Sequence, residues 1–390
     1  MKIGVEATCL FNKRGYGRYA RALIGSTLHL DKENEYICYV DSLEKLDDIL
    51  DRVEIRYVAA STPAALAASS TSRRSLGDMW KMSRAMSDSK LDILLFPTVY
   101  TYVPVLSPAK KVVFIYDAIP EIYPELTLPH KQARLFWQIK SSMARRQADA
   151  IVTISEYSKK ILARKFNLSD RRIQVVDGAS DPIFRVLNGT ISGEQLKPYG
   201  IPAGGRLVIY LGGFGPHKNV MGLVRSFSLL ANTPEYQDIY LVLVGEYRNE
   251  IFHSQITEIQ QEIHRAGVTE RTVFTGYMPD DQVVVLMNAA TVLVLPSLME
   301  GIGLPALEAA ACGCPVIATR ESPLPEMLGE GAIYINPQDP DDLTSALRRV
   351  LDSSEIRATL RTKGLEATRN LSWERSARNL ITIISGLESL

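Results

Sequence analysis

"LPSLMEGIGLPALEAAACGCPVIAT", residues 295–319, decides how this chain is read. The uncharged run "TVLVLPS" leads into it and ends near Ser297. Glu300, Gly301, Ile302 and Gly303 then make a loop, Pro305 suits a first helical position, and "ALEAAACG" continues the helix. A second apolar run, "CPVIAT", follows. The glycine turn therefore lies at the carboxyl end of a strand and the amino end of a helix. Glycines there let backbone N–H groups approach an anion, and the helix end favours negative charge, so a phosphate is expected. Glu300 precedes the turn and Glu308 stands about one helical turn inward; each can accept hydrogen bonds from hydroxyls. A diphosphate flanked by two polyols is a nucleotide sugar.

The same alternation of strand, turn and helix runs outward in both directions. "KIGVEA", "YICYVD", "VEIRYVA", "LDILLFP", "KKVVFIYD", "DAIVTIS" and "RIQVVDG" come first, and "RLVIYLGG", "IYLVLVGE", "RTVFTGY", "ATVLVLPS", "CPVIAT" and "GAIYIN" later. Apolar runs of this kind with helices between them imply parallel sheets covered on both faces. Between the two series, periodicity gives way to Gly, Pro and Ser. The expected organisation is α/β: an N-terminal, acceptor-binding Rossmann-like domain over 1–188, a linker over 189–205, and a C-terminal Rossmann-like domain over 206–370 that binds the nucleotide sugar. A last helix over 371–390 is expected to pack back on the N-terminal domain. Two doubly wound domains facing each other across a cleft would hold the ligand at the carboxyl ends of their strands.

Composition sets the outer limits. The chain has 390 residues, 46% hydrophobic and 23% charged, and its 44 basic residues balance 44 acidic ones. No global charge argues for nucleic acid. The opening "MKIGVEATCL" starts in a strand pattern rather than a signal peptide, so a cytoplasmic protein is expected, with the inner face of the membrane as the further option. The uncharged stretch from Gln282 to Met299 is broken by Asn288 and Pro296 and reads as a buried helix followed by a buried strand. Cys9, Cys38, Cys312 and Cys314 lack framework or metal spacing and read as buried thiols. Asp339-Pro340-Asp341 superficially resembles a metal-binding D-x-D but sits where aspartates cap a helix. No metal and no cofactor are expected.

The passage that opens this reading resembles the E-x7-E signature of the large retaining glycosyltransferase family 4, which has the GT-B fold. "GYGRYARALI" (15–24), "YDAIPEIYPE" (116–125), "TISEYSKKIL" (153–162), "YLGGFGPHKN" (210–219), "FTGYMPDDQVVVLMNAA" (274–290) and "LSWERSARNL" (371–380) match in order along the chain. The resemblance implies that Glu300 holds the transferred sugar, that the amides at Ile302 and Gly303 lie near sugar and phosphate, that Glu308 binds ribose, and that Lys218 contacts the diphosphate. It places the nucleobase against main chain near Met278, and the loop containing Gly17 over the diphosphate and acceptor. The implied catalytic set is Glu300, Lys218, Asp117 and Tyr116. The donor-binding set is Gly17, Gly212, Gly213, Lys218, Tyr277, Met278, Glu300, Gly301, Ile302, Gly303, Leu304 and Glu308.

Two departures qualify what the resemblance implies. Many relatives carry Gly-Arg where this chain has Gly212-Gly213, so a second phosphate-binding cation is missing, with His217 a weak substitute. Relatives usually have His-Asp where this chain has Tyr116-Asp117. Tyr116 reads either as a phenol donating to the sugar or diphosphate or as a core aromatic, and Asp117 becomes the acceptor-side candidate. The glycine form with "PHKN" looks most like bacterial mannosyltransferases of polysaccharide assembly. The donor is therefore expected to be GDP-mannose or a UDP-sugar, and the acceptor a carbohydrate or lipid-linked hydroxyl chosen by N-terminal loops such as "ALAASSTSRR" (65–74). A sugar-nucleotide epimerase on the same fold and a catalytically impaired nucleotide-sugar-binding protein stay open as alternatives.

Residues 130–166 carry nine basic side chains and two acidic ones, with Phe136, Trp137 and Ile139 interleaved. Either this is a helix lying on an anionic membrane, or the aromatics are core and the charges a solvated face. Of these two readings the second is favoured on sequence.

Overall fold

The structure, a computed structural model, describes residues 1–44, 49, 53–67, 75–87, 90–189, 191, 193–202, 204–247 and 254–388. It divides into two compact units. One comprises Met1–Pro124, Leu128–Gly178 and Ser372–Leu390, the other Glu125–Thr127 and Ala179–Leu371.

The first unit is built on a parallel sheet of β1 (Lys2–Glu6), β2 (Glu35–Val40), β3 (Glu54–Tyr57), β4 (Ile93–Phe96), β5 (Lys110–Phe114), β6 (Ala150–Thr153) and β7 (Ile173–Val175). Their order is β3-β2-β1-β4-β5-β6-β7. β4 and β6 are buried at every position and β5 at all but its first, as strands covered on both faces must be, whereas the edge strand β3 carries Glu54 and Arg56 and is largely exposed. The helices of this stretch are α1 (Gly15–Leu30), α2 (Ala64–Ala67), α3 (Leu76–Ser87), α4 (Ile119–Ile122), α5 (Pro124–Thr127), α6 (Lys131–Gln147) and α7 (Glu156–Phe166). Ser155 caps α7 by accepting from the Ser158 N–H at 3.0 Å, and Asn167 ends it in the left-handed conformation.

The second unit repeats the plan with β8 (Arg206–Leu211), β9 (Ile239–Val244), β10 (Thr272–Gly276), β11 (Val292–Leu295), β12 (Val316–Thr319) and β13 (Ala332–Ile335), ordered β10-β9-β8-β11-β12-β13. Its helices are α8 (Val220–Ala231), α9 (Ile256–Arg265), α10 (Asp280–Ala289), α11 (Leu304–Ala311), α12 (Leu324–Leu328), α13 (Pro340–Asp352) and α14 (Ser354–Thr368). In each sheet the strand order reverses once, between β1 and β4 and between β8 and β11. Those are the switch points at which open α/β sheets leave room for a ligand.

The uncharged stretch 282–299 is indeed a buried helix, α10, followed by a buried strand, β11. Asp339 caps α13, its carboxylate accepting from the Asp341 N–H at 3.0 Å, the capping role expected for the D-x-D. All four cysteines are free and buried. Among the described residues no helix is long and apolar enough to cross a membrane.

Two boundaries differ from expectation. The chain leaves the first unit at Gly178, not at 188, and the stretch expected to be a linker belongs to the second unit. It forms short 3₁₀ turns, Gly193–Gln195 and Lys197–Tyr199, and buries Leu196 and Ile201. Turn-forming composition there makes packed turns rather than a tether. Residues 68–74 of the "ALAASSTSRR" stretch lie outside the described residues.

After α14 the chain returns to the first unit as α15 (Trp373–Glu388), which packs on α1. The Trp373 ring meets Tyr19 edge-on with centroids 5.3 Å apart, and Asn379 Nδ2 donates to the Val175 carbonyl at 2.7 Å. Arg375 forms an ion pair with Asp177. Ala377, Leu380 and Ile384, spaced three and four residues apart, form its buried stripe.

Candidate functional site

The carboxyl ends of β8 and β11, adjacent at the switch point of the second sheet, bring together the sequence-derived candidates Lys218 and Glu300. After β8 the chain runs through Gly212-Gly213-Phe214-Gly215 into a 3₁₀ turn, Pro216–Lys218. Asn219 closes that turn in the left-handed conformation, and its Nδ2 donates to the carbonyls of Pro296 and Pro337, both at 3.1 Å. The Leu298 N–H donates to the His217 carbonyl at 2.8 Å, lacing the loop after β11 to the loop after β8. The Glu300 N–H donates to the Glu321 carbonyl at 2.9 Å, adding the loop after β12. Loops that look independent in sequence are therefore one hydrogen-bonded framework.

That framework presents a cation and a carboxylate. Lys218 Nζ lies 2.7 Å from Glu300 Oε1, and Ser297 Oγ donates to the same oxygen at 2.6 Å. Glu300 is largely buried, whereas Lys218 keeps part of its side chain in solvent. A charge-assisted pair that is only partly desolvated can be opened by a competing anion at moderate cost. Gly303 caps α11 with φ +76°, and a Cβ there would come within 2.9 Å of Leu324 Cδ1. Only glycine turns the chain into α11 at that point, which leaves the first-turn amides at the end of the loop that holds Glu300. Glu308 sits one turn further along α11 and is 2% exposed. Burial pushes the neighbouring Cys312 thiol up to about 12, with the Glu308 charge adding to it.

On the other side of β8, backbone rather than side chain lines the strand ends. The Gly212 N–H donates to the Val244 carbonyl and the Gly245 N–H to the Gly276 carbonyl, each at 3.0 Å. A Cβ on Gly245, whose φ is +154°, would stand 2.1 Å from the Gly212 carbonyl oxygen. Tyr277 follows this row with 59% exposure, while Met278 is buried beneath it.

The candidates of the first unit behave differently. Gly17 was expected to precede the helix as a ligand contact. It instead lies inside the first turn of α1, buried, with a built Cβ falling 2.0 Å from the Asn12 carbonyl oxygen. Its lack of a side chain is required by packing of α1 on the preceding turn. Tyr116 was expected among the catalytic residues, but its hydroxyl donates to the Pro97 carbonyl at 2.5 Å and its ring packs edge-on against Tyr19 at 5.1 Å. Burial raises its phenol well above the ordinary tyrosine range. The geometry is that of a core aromatic. Asp117 is half-buried and accepts from the Ile119 N–H at 2.9 Å, opening α4.

Sequence reasoning missed Asn219, Ser297 and Glu321. Asn219 had a local signal, an asparagine between a turn and a helix. Ser297 and the Glu321 carbonyl act through contacts that the sequence does not announce.

Comparison with known proteins places this arrangement. Residues 192–367 match the family described as Glycosyl transferases group 1. The chain is 27% identical over 256 residues to the O-antigen chain mannosyltransferase B of Escherichia coli, an alignment covering 65% of this chain and 64% of that protein. It thus spans just under two thirds of that relative. Among solved structures it is similar to a sucrose-phosphate synthase from Thermosynechococcus elongatus, with TM-score 0.78 and 17% identity over 100% of this chain and 99% of the other. It is also similar to the Anabaena protein Alr3699/HepE solved in complex with UDP-glucose, with TM-score 0.74 and 18% identity over 100% of both chains. These likenesses show the fold, two parallel-sheet Rossmann-like units of the GT-B class. The chain carries a Glycosyl transferases group 1 domain at residues 192–367.

Proposed function

We propose that this protein is a retaining glycosyltransferase that moves a hexose from a nucleoside diphosphate sugar to an acceptor hydroxyl. The observation that carries the reading is the Lys218–Glu300 pair at the switch point of the second sheet, beside the glycine-led amino end of α11. Lys218 and the turn amides meet the charge that develops on the departing diphosphate, and Glu300 accepts from hydroxyls of the transferred sugar. Glu308 accepts from the ribose, and the backbone near Met278 takes the base. Asp117 is the acceptor-side contact.

The bond from the anomeric carbon to the phosphate oxygen breaks while the bond to the acceptor oxygen forms on the same face. The leaving phosphate takes the acceptor proton, so no enzymic nucleophile enters and the anomeric configuration is kept. The charge on the leaving group is met by Lys218 and amides without a metal ion. The similarity to an O-antigen chain mannosyltransferase favours mannose as the sugar and polysaccharide or glycolipid assembly as the setting, with a carbohydrate or lipid-linked acceptor.

The test is nucleotide release from a panel of GDP-mannose, UDP-glucose and UDP-N-acetylglucosamine, with and without chelator. Release from one donor, with an unchanged rate in chelator, supports the reading. A protein that binds such donors without releasing nucleotide would instead be a nucleotide-sugar-binding protein.

A further inference from the structure

The structure divides the apolar residues of the first helix in 130–166 between two faces. In α6, Trp137, Ser141 and Ala144 face inward, and Trp137 Nε1 donates to Glu121 Oε1 at 2.8 Å. Leu135, Phe136, Ile139 and Met143 face outward with 59%, 44%, 51% and 37% exposure. At about 100° per residue these four side chains fall within one sector of about 100°, opposite the buried face. This is a contiguous apolar stripe on the solvent side of a helix, not a scatter of single exposed residues.

Within α6 itself the charges all have one sign, the exposed acidic residues of 130–166, Asp149 and Glu156, lying outside it. α6 contains Lys131, Arg134, Lys140, Arg145 and Arg146 and no acidic residue. Three of the five are tied to the protein. Arg134 donates to the Leu128 carbonyl, Lys140 donates to the Tyr100 carbonyl, and Arg145 lies over the Phe166 ring at 3.7 Å. Lys131 and Arg146 are exposed at the two ends of the stripe. The Arg145–Phe166 contact joins α6 to α7, where Lys160, Arg164 and Lys165 are exposed as well.

We propose that the outward face of α6 docks on an anionic lipid bilayer, with the apolar stripe entering the headgroup boundary and the flanking cations held at lipid phosphates. An amphipathic helix that lies in a membrane interface has this combination of apolar centre and basic rim. A soluble polyanion would meet the cations and leave Leu135, Ile139 and Met143 in water. A second copy would set two cationic faces against each other, and one four-residue stripe supplies little of the roughly 800 Å² per partner that a stable interface buries. The inference rests on no assignment in the donor site.

The experiment is co-sedimentation of the full chain with vesicles of phosphatidylcholine alone and of phosphatidylcholine mixed with phosphatidylglycerol, at low and high salt. Binding to the anionic vesicles alone, falling as salt shortens the screening length, is expected. Each cation near the surface contributes a factor of about five. Lys131→Glu with Arg146→Glu should therefore weaken binding more than tenfold. Leu135→Ser with Ile139→Ser should also lose binding to anionic vesicles, because the stripe must enter the boundary. Both variants alter exposed positions, and an unchanged thermal unfolding profile and circular dichroism spectrum show that they remain folded. Equal binding to both vesicle types, indifference to charge reversal, or a wild-type dimer that the Leu135→Ser, Ile139→Ser variant dissociates would each overturn the proposal.

Discussion

Lys218 Nζ and Glu300 Oε1 stand 2.7 Å apart across two loops that leave adjacent parallel strands. The cation read as the diphosphate's partner and the carboxylate read as the sugar's partner therefore hold each other. On the proposed reading, a phosphate arriving at Lys218 would compete with Glu300, and the displaced carboxylate would become available to sugar hydroxyls. The pairing also keeps Glu300 from being an isolated charge in a largely buried position.

Lys218→Ala removes the cation proposed to face the leaving group. Transfer and donor hydrolysis should both slow by about 2–4 kcal/mol of barrier, the range for loss of a preorganised stabiliser. Steady-state kinetics measure this directly. Wild-type rates in the variant would take Lys218 out of the chemistry.

Glu300→Gln keeps the size of the side chain and removes the charge that holds Lys218. Nucleoside diphosphate should then bind at least as tightly as to the wild type while sugar transfer falls steeply. Glu308→Gln should weaken the nucleotide alone, because its assigned partner is the ribose. Calorimetry with free nucleoside diphosphate separates the two. A tenfold loss of nucleotide affinity in Glu300→Gln would contradict competition for Lys218.

Tyr116→Phe deletes only the hydroxyl that donates to Pro97. The expected cost is about 1–2 kcal/mol of stability in chemical denaturation, with turnover and its pH profile unchanged. The buried phenol stays protonated far above neutral pH, so no activity should titrate with it. A large fall in kcat at unchanged stability would restore Tyr116 to the reacting groups.

Gly17→Ala forces a Cβ towards the Asn12 carbonyl oxygen and should destabilise by about 1–3 kcal/mol, the usual cost of overpacking. Thermal unfolding reports it. If stability held and nucleotide binding were lost, Gly17 would be a ligand contact after all.

What could be read from the sequence followed from how local each signal is. β8, β9 and β11 are apolar runs ending at glycine or proline, and a strand covered on both faces leaves that mark directly. The turn from Glu300 to Pro305 was legible because a glycine cap and a first-turn proline are properties of a few adjacent residues. The packing reason for Gly17 was not legible because it is the backbone of Asn12, folded back upon it. Tyr116 was ambiguous because a strand-end aromatic can face core or ligand, and the choice is made by Pro97 and Tyr19. In α6 the periodicity places Trp137 and Ile139 on opposite faces, but not which face meets the sheet. The end of the first unit was set too late because Gly, Pro and Ser mark a turn whether or not the turn is packed.

The return of α15 to α1 also orders events on the ribosome. Tyr19 and Trp373, which meet edge-on, are far apart in the sequence, with the whole second sheet made between them. The group 1 domain emerges complete before α15 and can fold as a self-contained sheet. The earlier-made unit must wait with one helix missing and the surface of α1 uncovered until α15 has been made. The amino-terminal half of this chain is thus the last part to close, and a nascent chain stalled shortly before 373 would carry a finished second sheet beside an unfinished first.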